Sequence, residues 1–317
     1  MTPDLEGTPD LEGVVRFDQA MVGVDLAGGI LADHPIGPMT TYRAGGCAAR
    51  FVRPVDRSEL EAVADGVAAA GIPVLIVGRG SNMLVADAGF GGLALQLGQA
   101  FEKVRANGTT VVAGAGVSLP VLARWTVAES LTGFEWAVGV PGSVGGAVRM
   151  NAGGHGSDMA SSLVSADTVD LRTGEGRRRT VTDLSLGYRS SSIEQSEVVV
   201  EATIGLSVGD RASGEERLAE VVRWRRENQP GGQNAGSVFT NPVGDSAGRL
   251  IDEAGLKGWR IGSASVSERH ANFIQVDEGG SADDVVALMD VVARRVIEVH
   301  GIRLEPETVI VGFAGQS

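Results

Sequence analysis

Val77-Gly78-Arg79-Gly80-Ser81-Asn82-Met83-Leu84 continues the apolar run 73–77, which reads as a buried strand running into a glycine-rich turn. It has the outline of a nucleotide loop but fails the dinucleotide fingerprint. That fingerprint needs a glycine where Met83 stands, a helix behind it, and an acidic residue ~20 positions on. The chain beyond Met83 reads as extended. A second stretch, Gly139-Val140-Pro141-Gly142-Ser143-Val144-Gly145-Gly146-Ala147, runs on to Met150-Asn151-Ala152-Gly153-Gly154. No Lys-Ser/Thr pair comes after it, which excludes a Walker loop. With Gly114-Ala115-Gly116 between them, these loops offer backbone amides that can converge on a pyrophosphate without a cationic side chain.

Outward from the loops, 317 residues exceed one ordinary domain, and 46 glycines predict many tight turns and close backbone approaches. Acidic side chains outnumber basic ones by 40 to 27, and a net charge of -13 repels a polyphosphate backbone, so nucleic acid is not an expected partner. Cys47 is the only cysteine, which excludes an intramolecular disulfide; it reads as a small buried hydrophobe. His34, His155, His270 and His300 lie far apart with no ligand spacing, and no metal is expected. No run reaches the ~18 apolar residues of a membrane span, nor does the start resemble a secretion signal, so a cytoplasmic protein is expected. The oligomeric state is left open, a monomer being the simplest assembly.

The segment TPDLEG occurs twice, at 2–7 and 8–13, and residues 1–25 read as a disordered tail. A helix opens near Asp56, carries Leu60, Val63 and Val67 on one face, and closes at Gly71. Strands are expected at 93–97 and 110–112, a helix from Ser118 and Pro120, then strands at 168–171, 178–181 and 198–206. Residues 26–210 thus form one region of two α+β subdomains, dividing near 95–105. A second, smaller α+β unit spans 213–317. Ser213 and Glu216 have capping-box spacing before a helix over 215–227, a short helix lies near 247–254, and a strand near 272–276. The last helix, 282–300, is capped by Ser281 with Asp284 and ended by Gly301, with Val285, Leu288, Val292 and Val296 along one face.

Three further segments add chemistry: Gly187-Tyr188-Arg189-Ser190-Ser191, Ala235-Gly236-Ser237-Val238-Phe239-Thr240-Asn241-Pro242, and Leu304-Glu305-Pro306-Glu307. With Thr41 to Gly46 and the glycine loops, their order resembles the UDP-N-acetylenolpyruvoylglucosamine reductase family over roughly residues 30–313. The compact type, without an extra substrate-covering loop, is the nearer match. The resemblance implies an α+β FAD-binding domain of the vanillyl-alcohol-oxidase/PCMH type, followed by a smaller α+β substrate domain whose last strand returns to the active site. It implies non-covalent FAD held by Gly78, Arg79, Gly80, Ser81, Asn82, Met83, Gly114, Gly139, Pro141, Gly142, Ser143, Gly145, Gly146, Asn151 and Gly153. NADPH is the implied reductant, and UDP-N-acetylglucosamine enolpyruvate, a precursor for peptidoglycan synthesis, the implied small-molecule partner.

By the same resemblance, hydride reaches C3 of the enolpyruvyl double bond, and charge left at C2 spreads into the neighbouring carboxylate. Arg189 is implied to hold that carboxylate in a bidentate fork, Ser237 to deliver the proton to C2, and Glu307 to complete the enol-stabilising group. Glu305 stands two residues from Glu307 and can share its face on an extended segment. Tyr188, Asn241, His270 and Asn272 match segments that line the sugar-nucleotide cleft. Thr240 and Asn228 stand where relatives commonly carry basic residues, which weakens pyrophosphate binding unless Arg225, Arg226 or Lys257 substitutes. The alternative function is a flavin-dependent sugar or alcohol oxidase of the wider flavin-domain group, which gives the segments around Ser237 and Glu307 no role.

Overall fold

Strand and helix alternate first around residues 30–95 of the computed structural model, which describes residues 10–313. Helix Arg57–Ala70 starts where Asp56 accepts from the Glu59 amide and ends at Gly71, whose φ of 65° is left-handed. Its apolar face, Leu60, Val63 and Val67, is buried on a four-stranded sheet ordered Ile30–Pro35, Cys47–Val52, Phe90–Leu95, Val74–Ile76. The first pair is antiparallel and the other two parallel.

The expected tail is corrected for much of its length. Residues 1–9 lie outside the described residues, but Leu11–Ala20 is a helix, capped by Asp10 accepting from Gly13 N at 2.8 Å. Val14, Phe17 and Met21 recur at helical spacing and share a core with Leu60 and Val63, while Asp18 pairs with Arg50. The acidic repeat hides this apolar stripe, because the stripe begins only after the repeat ends.

Chain leaving the first sheet at Leu95 enters a second at Val104. Five antiparallel strands run in the order Gly176–Thr180, Leu163–Asp170, Glu197–Gly205, Thr110–Gly114, Val104–Asn107. Helices Leu119–Ala128 and Val144–Arg149 cover one face, burying Leu119, Leu122, Val144 and Val148. The fold is therefore α+β, in two mixed layers with the glycine loops where they meet.

Beyond residue 205 the chain builds a third core around the antiparallel sheet Arg260–Ile261, Ala264–Val266, Ile274–Val276. Helix Arg211–Asn228 begins four residues earlier than the expected 215, because Asp210, not Ser213, supplies the cap. Helix Ala282–His300 starts where Ser281 accepts from Asp284 N and stops at Gly301 with φ 68°. It also binds Asp87, whose carboxylate accepts from Ser281 Oγ and from Ala282 N. The final strand, Val309–Val311, pairs in parallel with Met83–Val85. Among the described residues no helix is long and apolar enough to cross a membrane.

Candidate active site

Residues 78–83 leave strand Val74–Ile76 and pass directly beside residues 139–143. Ser81 Oγ donates to the Pro141 carbonyl at 3.2 Å, and a Cβ on Gly142 would come within 2.9 Å of that hydroxyl oxygen. Gly80 has φ 60°, and a Cβ there would sit 2.5 Å from the Met39 carbonyl, while its own carbonyl accepts from Thr41 N at 3.0 Å. The loop is thus pinned from its outer side. Among the described residues the N–H groups of Gly78, Arg79, Gly80 and Ser81 meet no acceptor. Four donors held by a rigid turn at a cleft suit an anion. The cleft has a volume of about 660 Å³ and adjoins a smaller cavity of about 140 Å³.

The same cleft is lined by Arg189, Ser237 and Glu307. Arg189 sits at φ 54°, a left-handed conformation uncommon for a side chain of its size. That turn aims its Nε at Glu307 Oε1, 2.8 Å away, and its Nη2 at the Gly153 carbonyl at 3.0 Å. The pair is mostly withdrawn from water, with side chains 23% and 16% exposed. Burial pushes the Glu307 carboxyl above its ordinary value, and the charge and hydrogen bond of Arg189 pull against that shift. Glu305 faces outward instead and pairs with Arg303 at 3.1 Å. The expected shared face fails because the segment is not a regular strand: Pro306 bridges to Phe239, and Thr240 N takes the Glu305 carbonyl.

Backbone bonds join these parts. Glu307 N donates to the Val238 carbonyl at 2.8 Å, which sets the Ser237 loop against the acidic segment. Asn82 Nδ2 donates to the Glu307 carbonyl at 3.0 Å, and the Asn82 carbonyl accepts from Val309 N at 3.0 Å. The glycine loop and the catalytic candidates are therefore one hydrogen-bonded assembly.

Most of the expected binding residues line this cleft: Gly78 through Met83, Gly139, Pro141, Gly142, Ser143, Gly146, Gly153, Tyr188 and Asn241. Gly145 lines the smaller cavity. Four do not line either. Gly114 is a packing glycine, since a Cβ would meet the Phe101 carbonyl at 2.2 Å. Asn151 is buried, accepting from Ala160 N and donating to Asp158 and the Gly187 carbonyl, so it braces the turn before Tyr188. His270 stands behind the wall against Phe273, its Nδ1 accepting from Asn272 N. Asn272 is buried with its carboxamide committed to Phe239, accepting from N at 3.0 Å and donating to O at 2.8 Å. Neither lines the cleft; each packs behind residues that do. Cys47 is exposed, because alternation along its strand turns Ala48 inward instead.

The sequence reading missed Arg149, Trp224 and Gln229 as cleft residues; Arg225, named there as a substitute cation for pyrophosphate binding, lines the cleft too, as does His155. His155 and Trp224 meet with perpendicular rings 5.1 Å apart. The only signal was their place at a loop and at the last turn of a helix before Gln229-Pro230.

A family model described as an FAD binding domain matches residues 48–179. One for the C-terminal domain of UDP-N-acetylenolpyruvoylglucosamine reductase matches residues 228–311. The reductase of that name from Heliobacterium modesticaldum is 42% identical over 294 residues, 92% of this chain and 93% of that one. Its namesake from Rubrobacter xylanophilus is 40% identical over 282 residues, 88% of this chain and 94% of that one. The crystal structure of the Thermus caldophilus reductase superimposes with a TM-score of 0.77 at 34% identity, covering 89% of this chain and 98% of that one. Identity of this size across almost the whole length of both partners, with both halves matched in order, shows that the chain belongs to the UDP-N-acetylenolpyruvoylglucosamine reductase family.

Proposed function

We propose that the chain reduces UDP-N-acetylglucosamine enolpyruvate to UDP-N-acetylmuramate, a step in making peptidoglycan precursors, with FAD as its resident cofactor and NADPH as reductant. The observation that carries this reading is the joining of Arg189, Glu307 and the Ser237 loop in one cleft with a loop of free amides. Those amides fit the diphosphate of FAD, and the closeness of Ser81 to Pro141 and Gly142 leaves a narrow backbone cradle that side chains would fill. Bound there, FAD supplies the hydride to the substrate's double bond.

The chain supplies the rest. Arg189 orients the enolpyruvyl carboxylate and stabilises the charge that collects on it, its direction fixed by the left-handed turn and the Gly153 carbonyl. A second carboxylate arriving at that guanidinium raises the proton affinity of Glu307 further, so Glu307 becomes a hydrogen-bond donor to the enolic oxygen. Ser237 gives its hydroxyl proton to the strongly basic C2 carbon, a downhill transfer once the hydroxyl is positioned. Asn82 and Asn272 keep the acid and the hydroxyl in register. Both reactants are nucleotides of the cytoplasm, where we place the enzyme.

Anaerobic mixing tests the reading. The yellow protein should bleach with NADPH and regain its colour when the enolpyruvyl nucleotide is added. Colour that returns only in air after bleaching by an alcohol would support the oxidase alternative and overturn this one.

A further inference from the structure

The aim of Arg189 rests on a backbone conformation that needs support from outside its own turn. Two non-glycine residues of the segment that presents it are left-handed, Ser185 at φ 45° and Arg189 at φ 54°. Such conformations persist only where the surroundings over-determine them. The segment is tied at its base, where Ser192 N donates to the Leu184 carbonyl at 2.8 Å. Across that base lies Arg179, next to the end of the edge strand Gly176–Thr180.

Arg179 grips both sides. Its Nη2 donates to the Asp183 carbonyl at 2.7 Å on the incoming side and to Ser192 Oγ at 2.6 Å on the outgoing side. Its Nη1 donates to the Ser192 carbonyl at 3.3 Å and to Glu197 Oε2 at 2.6 Å. The side chains of this ion pair are 16% and 9% exposed, and the other Glu197 oxygen accepts from Thr168 Oγ1 at 2.7 Å. The buried charge is therefore compensated, and the remaining donors of the guanidinium go to one loop. A planar fork can bridge two stretches of chain in this way, whereas an ammonium is a single point of charge. Arg179 lines neither cavity, so it can act on the chemistry only through the segment it holds. Glu307 and the Gly153 carbonyl meet the tip of the Arg189 side chain, while Arg179 fixes the backbone behind it.

Resting on the reductase reading, we propose that Arg179 is the positioning residue of Arg189: it clamps the two ends of segment 183–192 and so holds the Arg189 guanidinium where the enolpyruvyl carboxylate arrives. The clamp serves the carboxylate end of the substrate and leaves the nucleotide end alone, which separates it from a general support of the fold.

Holoenzymes carrying Arg179→Lys and Ser192→Ala are compared with wild type. Lysine keeps a charge beside Glu197 and gives up the span; alanine deletes one grip. Calorimetry on the oxidised enzymes reads affinity for the enolpyruvyl nucleotide and for UDP-N-acetylglucosamine, which lacks the carboxylate. Arg179→Lys should bind the first about 10-fold more weakly and the second within about twofold of wild type. Its reoxidation by substrate should slow about 10- to 100-fold while bleaching by NADPH keeps its rate, and Ser192→Ala should show the same pattern at smaller size. Amide hydrogen exchange over 185–192 should quicken in both variants, with 78–83 unchanged. An equal loss for both nucleotides, no loss for either, or loss of flavin would overturn the proposal. Wild-type enzyme that NADPH fails to bleach would sink the reductase reading; the exchange comparison would still judge the clamp, and unchanged exchange over 185–192 would refute it.

Discussion

The carboxamide of Asn272 holds both backbone groups of Phe239, two residues from Ser237, and the Asn272 carbonyl takes Val238 N at 2.9 Å. The loop that presents the hydroxyl is thus fixed on one side by Asn272 and on the other by the Glu307 segment. Asn272→Ala strands a buried donor and acceptor, which costs about 1–3 kcal/mol each when left unpaired. The melting temperature should fall, and reoxidation of reduced enzyme by substrate should slow while bleaching by NADPH keeps its rate. Stopped-flow absorbance separates the two halves; an equal loss in both would mean that Asn272 supports the fold alone.

Ser237→Ala removes the proposed proton without touching the flavin loop. Reoxidation by the enolpyruvyl nucleotide should drop by about 10²–10⁴-fold, with reduction by NADPH unchanged. Wild-type reoxidation by this variant would remove Ser237 from the chemistry.

Glu307 sets a pH dependence. Its carboxyl is raised above the ordinary 4.5, chiefly by burial, and the proposed role requires its protonated form. The protonated fraction is full below that raised pKa and is lost as pH climbs through it, so reoxidation should decline on the alkaline side. Glu307→Gln keeps a donor at every pH, and its slower reoxidation should lose this limb. A profile identical in shape to wild type would assign the limb to another group.

Phe17→Ala tests the amino-terminal helix. Phe17 is fully buried against helix Arg57–Ala70, and emptying such a site costs about 3–5 kcal/mol. Denaturant titration should show this loss. A change under about 0.5 kcal/mol would match a surface residue and show that the helix leaves the core in solution.

Much of the fold was legible where local chemistry acts alone. Helix Ala282–His300 announces both ends, because Ser281 and Gly301 work through neighbours within four residues. Helix Leu11–Ala20 was hidden because its worth lies in contacts with Gly66 and Leu60, which no local pattern displays. In the site, residue types that chemistry demands, such as Arg189 and Glu307, could be named from their segments. Asn272 could not be separated from a ligand contact by sequence, since a carboxamide satisfies a backbone and a substrate equally well. Arg225 could be named only together with Arg226 and Lys257 as a substitute cation, being one arginine among several on a charged helix.

On the proposed mechanism, the parallel pairing of Val309–Val311 with Met83–Val85 makes activity a late arrival during biosynthesis. A nascent polypeptide whose residues beyond 300 are still inside the ribosomal tunnel can assemble both larger sheets, yet it lacks the strand that carries Glu307 to Arg189. Competence waits until that strand emerges, so a product terminated ahead of it is inert however well its earlier part has folded.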